Sequence, residues 1–131
     1  DDQASLVDAV VDVARPTGAS VVLARAYGES EYEDRTAELE FESQPSTDEV
    51  ARRSQSVRDI ATALQDENVE HEVRGVVGEE GDAFVQLAEI VGSDILYIQG
   101  KGRTPTGKAL FGSTAQTVLL NAPCPVTFVR K

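Results

Sequence analysis

The chain has 131 residues, enough for one hydrophobic core and one domain spanning 1–131 rather than two. Its 23 acidic and 12 basic residues give a formal net charge of −11, a surface that repels a phosphate backbone and argues against broad nucleic-acid binding. One cysteine, Cys124, and one histidine, His71, leave no internal disulfide and no Cys/His metal cluster.

Leu6, Val10, Val13 and Ala14 lie on one helical face, so a first helix is expected over residues 3–14, closed by Pro16 and Gly18. Val21, Val22 and Leu23 follow in a row and read as a strand over 20–26, buried on both faces. Residues 28–46 are polar and Glu-rich, bounded by Gly28 and Pro45, and are expected as a long acidic surface loop. Ser46 with Glu49 fits a capping box, and Val50, Val57, Ala61 and Leu64 continue a second helical face toward Asn68. Residues 70–76 form a strand around Val73 and lead to the turn Gly78–Gly81. Phe84, Leu87, Ala88 and Val91 mark a third helix ended by Gly92, and Ile95–Ile98 a buried strand. After the loop Gly100–Gly112, a fourth helix carries Ala115, Val118, Leu119 and Ala122. Pro123 breaks it, and Val126–Val129 form the last strand.

Helices alternating with buried apolar strands imply an α/β, doubly wound, Rossmann-like domain: a mostly parallel sheet with helices on both faces. Ligands of that class sit beyond the carboxyl ends of the strands. The segment with chemical character leaves one such end. Gly100, Gly102 and Gly107 permit close backbone approach to an anion, and Lys101, Arg103 and Lys108 concentrate positive charge in an acidic chain. Gly112-Ser113-Thr114 opens the fourth helix and aims its positive end at the same place. Two readings stand: a phosphate site, or a glycine-rich connection whose basic residues stay solvated. Gly102–Lys108 also imitates the start of a P-loop, but Ala109 lacks the hydroxyl that would hold Mg²⁺.

From Gly78 onward the sequence resembles the universal stress protein family. The likeness rests on Asp94-Ile-Leu-Tyr-Ile, on Gly102 followed by nine residues to Gly112-Ser113, and on Ala122-Pro123-Cys124-Pro125-Val126. Ala14-Arg15-Pro16-Thr17-Gly18-Ala19 extends it toward the beginning. The resemblance implies a five-stranded sheet and a regulatory module rather than an enzyme, binding ATP or a related adenine nucleotide, with Mg²⁺, through Gly100–Ser113. Phosphate-binding residues would be Gly100, Gly102, Arg103, Gly112, Ser113 and Thr114, and adenosine would face Ala26, Val76 and Gln99. Nucleotide-binding members carry G-x-x-G before the nine-residue spacer; here the first glycine is replaced by Gln99. That side chain either fills the space next to the ribose and phosphate or donates a hydrogen bond there. The resemblance further implies a homodimer through Val126–Val129 and a central first strand ahead of Asp1; the single cysteine and the lack of a long apolar run lead to the expectation of a cytoplasmic setting without membrane attachment. A family member that has lost the nucleotide and acts through homodimer and protein contacts is the alternative. The acidic, Lys-poor surface fits either a halophilic cytoplasm or an ordinary acidic protein.

Overall fold

The structure is a computed structural model, and the described residues are 3–38, 45–100 and 112–130. Helix α1, Ala4–Thr17, turns Val7, Val10, Val11 and Ala14 toward the core. It runs three residues past the expected end at Ala14 and carries Pro16 within its last turn. Gly18, at φ 70°, then stops the helix in a left-handed cap that donates to the Ala14 carbonyl. Strand β1, Val21–Tyr27, follows.

The acidic stretch expected as a loop over 28–46 is corrected over much of its length. Residues Glu29–Glu38 form helix α2, which buries none of its residues. Glu29 and Glu31 sit in its positively polarised first turn, and Glu31 accepts a hydrogen bond from the Gly28 N–H at 3.3 Å. Capping and local charge, rather than an apolar face, set this helix, so an apolar periodicity has nothing to report there. The part of that expectation covering 39–44 lies outside the described residues.

The single helix expected after Ser46 is two. Helix α3 is Thr47–Arg52 and helix α4 is Gln55–Asp66, with a turn at Arg53-Ser54 between them. The capping box is present: the Ser46 hydroxyl accepts the Glu49 N–H, and the Glu49 carboxylate accepts the Ser46 N–H. Asn68, at φ 57°, ends the helical segment. Strand β2 (His71–Val77), helix α5 (Glu80–Val91), strand β3 (Leu96–Gln99), helix α6 (Ser113–Asn121) and strand β4 (Val126–Val129) complete the order. Gly92, at φ 68°, closes α5.

The strands form two parallel pairs. β1 lies against β2 in the register Val21↔His71 to Tyr27↔Val77, and β3 against β4 from Leu96↔Val126 to Gln99↔Val129. Four strands are therefore present among the described residues, against five in the complete sheet the sequence implies. Helix contacts pair α1 with α4 and α5 with α6, as a sheet covered on two faces requires. Ala14, Leu64 and Val69 form a core under α1, α4 and β1. Val85, Ile98, Ala115 and Val118 form another under α5, α6 and the β3–β4 pair. A third cluster of Tyr27, Val50 and Ala51 seats α3 on the β1–β2 pair. No helix among the described residues is long and apolar enough to cross a membrane.

Candidate functional site

The carboxyl end of β3 and the start of α6 meet at one place. Gly100 leaves β3 with its N–H donated to the Val129 carbonyl at 2.8 Å. Its lack of a side chain has a packing cause: a Cβ there would stand 2.5 Å from the Phe128 ring. Gly112 is the N-cap of α6, in extended backbone, and has no side chain with which to cap the helix. The first N–H to find a carbonyl within the helix is that of Gln116, which donates to Gly112 at 3.1 Å. The first-turn amides of Ser113, Thr114 and Ala115 precede it, an arrangement that attracts an anion.

Helix α5 presses its own start against α6. A Cβ on Gly81 would lie 2.7 Å from Cβ of Thr117, so glycine is what permits the approach. Glu79 caps α5, accepting the N–H groups of Gly81 at 3.3 Å and Asp82 at 2.9 Å. Those bonds, the one from Asp82 foremost, hold its carboxyl below the ordinary value of 4.5. The next residue, Glu80, accepts a 2.7 Å hydrogen bond from the Thr114 hydroxyl. Thr114, expected on a phosphate, thus spends its proton on a carboxylate and offers a phosphate only its backbone N–H.

Gln99, Gly100, Gly112, Thr114 and Glu80 all line one end of a cavity of about 710 Å³. Ser113 is exposed on the first turn of α6 and does not line it. Ala26 and Val76 face each other as partners at the carboxyl end of the β1–β2 pair and do not line this cavity. Ala26 is buried and belongs to the core; Val76 is half-buried. Beside them Tyr27 is buried under the Arg25 guanidinium, 4.6 Å from its ring centre, with Tyr32 edge-on at 5.8 Å. Burial pushes the Tyr27 hydroxyl pKa up, against the pull of Arg25. Tyr32 of α2 packs on Tyr27 of β1, and the two act as packing residues. Gly102 and Arg103, with Lys101 and Lys108, lie outside the described residues.

Glu80 is the site residue that the sequence reading missed. Its signal was present: two glutamates open a helix immediately after the glycine turn at Gly78, at the carboxyl end of a strand. The described residues contain no group of three or more His, Cys, Asp and Glu side chains able to hold a metal ion. Cys124 is half-buried, and desolvation together with Asp94 raises its thiol pKa, which suits packing rather than nucleophilic chemistry.

Comparisons with known proteins bear on the family and the fold. A universal stress protein of Mycolicibacterium smegmatis is 37% identical over 79 residues, which is 60% of this chain and 61% of that protein. The match thus spans about three fifths of the relative's length. A universal stress protein solved in complex with cAMP has 26% identity and a TM-score of 0.62, over 95% of this chain and 83% of that one. The universal stress protein of Archaeoglobus fulgidus solved with dAMP has 20% identity and a TM-score of 0.69, over 98% of this chain and 88% of that one, a likeness of fold. The model of the universal stress protein family matches residues 1–130. With β–α alternation and parallel pairing in accord with that match, the chain belongs to the universal stress protein family.

Proposed function

We propose that the protein is a regulatory module that binds ATP or a related adenine nucleotide at the carboxyl end of β3, without turning it over. The observation that carries the reading is the start of α6. Gly112 gives its first-turn amides no side-chain cap, and Gly100, Gly112 and Thr114 all line the same cavity. The residues fit a phosphate through backbone N–H groups, the mode that suits an anion in a protein of net charge −11. Mg²⁺ would travel with the phosphates. The cAMP and dAMP held by related proteins of the same fold support an adenine nucleotide as the ligand class. A cytoplasmic homodimer built on the outer edge of β4 accords with the reading, since β4 pairs only with β3 among the described residues.

Titration calorimetry with ATP, AMP and cAMP, each with Mg²⁺ and at high salt, tests the proposal. Micromolar binding of at least one nucleotide is expected, and Gly112→Val should abolish it by obstructing approach to the α6 amides. Gly112 has φ −79°, which valine tolerates, so the variant should fold. Absence of heat with all three nucleotides would remove the reading.

That outcome would favour the second reading, a member that works through protein contacts alone. The specific observation behind it is the pair of departures at the site mouth. Gln99 stands where nucleotide-binding members carry glycine, and the Glu80 carboxylate already holds the Thr114 hydroxyl.

A further inference from the structure

Two helices begin side by side at the site. Glu79 caps α5 by accepting the N–H groups of Gly81 and Asp82, and Gly81 lets that start approach α6, since a Cβ there would lie 2.7 Å from Cβ of Thr117. Glu80 stands between these two fixed residues, and its carboxylate accepts the Thr114 hydroxyl at 2.7 Å. A carboxylate of the chain itself thus stands at the first turn of α6, where the positive end of the helix would draw a phosphate.

The lining of the cavity makes this the charge that counts at that end. Its charged members among the described residues are Glu72, Glu80 and Asp94, all acidic, and no described basic side chain joins them. Glu72 lies near the amino end of β2, and Asp94 precedes the amino end of β3. Of the three, Glu80 is the one at the carboxyl end, with Gln99, Gly100, Gly112 and Thr114.

The Thr114 contact adds a second effect of the same sign. A hydroxyl has one proton. With that proton given to Glu80, Thr114 Oγ1 has only lone pairs to offer a ligand and cannot donate to an anionic oxygen. Both effects weigh on a phosphate in proportion to its charge. A cyclic or esterified phosphate carries one negative charge, whereas a terminal phosphate, with a second pKa of about 6, carries close to two above neutral pH.

We propose that Glu80 is a specificity-determining residue: its carboxylate, tied to Thr114, biases the site toward a phosphodiester bearing one negative charge and against a terminal phosphate bearing two. The inference deepens the adenine-nucleotide reading and rests on it. One extra ligand charge several ångströms from a carboxylate changes affinity about three- to tenfold. Glu80 is exposed, so salt should weaken the bias.

AMP and its phosphate methyl ester carry the same adenosine and differ by one charge, which makes them the probes. Titration calorimetry of both, without Mg²⁺, at about pH 8 and across a salt series, compares the parent with Glu80→Gln and Glu80→Asp. Far-UV circular dichroism verifies each fold. Gln keeps an oxygen that can accept the Thr114 hydroxyl and removes the charge, whereas Asp keeps the charge. Glu80→Gln should tighten AMP about three- to tenfold more than the ester, a difference that shrinks as salt rises. Glu80→Asp should leave the ratio of the two affinities near that of the parent. An equal change for both ligands in Glu80→Gln would overturn the inference and leave nucleotide binding standing, as would Glu80→Asp matching Glu80→Gln. No heat from either ligand in any of the three proteins would remove the nucleotide reading itself, and the inference with it.

Discussion

At the scale of single residues, the glycines of the site separate into two kinds. Gly100 is small because Phe128 leaves no room for a Cβ, a reason internal to the β3–β4 pair. Gly112 is the N-cap of α6 and brings no capping side chain, which is the feature the proposed phosphate site uses. In the sequence both are simply glycines flanking a basic loop, and only the register of β3 on β4 distinguishes them. Thr114 was legible as a helix-opening hydroxyl, but its partner Glu80 lies 34 positions earlier and no local pattern joins them. Glu79 carries a prediction of its own. Its folded pKa lies below the ordinary 4.5, so its cap contributes fully above about that pH and is lost as pH falls through the lowered value. Glu79→Gln should therefore show a shallower loss of stability than the parent between about pH 6 and pH 3, measured as urea midpoints. Identical slopes would mean that the cap's charge adds nothing.

At the scale of elements, those with an apolar face were legible and those without one were not. α1, α4 and α5 follow from residues spaced to reach a core, and β1 and β3 from unbroken apolar runs. α2 escaped because it buries nothing, and the α3–α4 break escaped because the apolar spacing carries straight across the turn at Arg53-Ser54. The short α3 has a role that its length hides. Its Asp48 meets the outer edge of β2 through Gly75 and approaches Arg74 at 3.7 Å, so the helix closes an edge that would otherwise invite another strand. The fit is tight: a Cβ on Gly75 would collide with the backbone carbonyl of Thr47. Gly75→Ala is expected to displace α3 and cost about 1–3 kcal/mol, read from urea unfolding of parent and variant. A change of a few tenths only would mean that α3 yields freely and guards the edge loosely.

At the scale of the whole molecule, the class of fold was legible because alternation and crossover handedness leave few arrangements, and the family match over residues 1–130 agrees. The arrangement of the cores was not legible, since it depends on which strands find each other across the sheet. The apolar residues gathered around α1, α4 and β1 share no member with those gathered around α5, α6, β3 and β4. Helices α1 and α5 reach from one strand pair toward the other, and among the described residues no ladder crosses between the pairs. The consequence concerns cooperativity. Because the buried clusters among the described residues share no member, the amides of the two strand pairs are expected to open with different free energies. Native-state hydrogen exchange should report it as two opening free energies, one for the amides of β1 and β2 and another for those of β3 and β4. A single common value would mean that α1 and α5 alone suffice to bind the halves into one cooperative body.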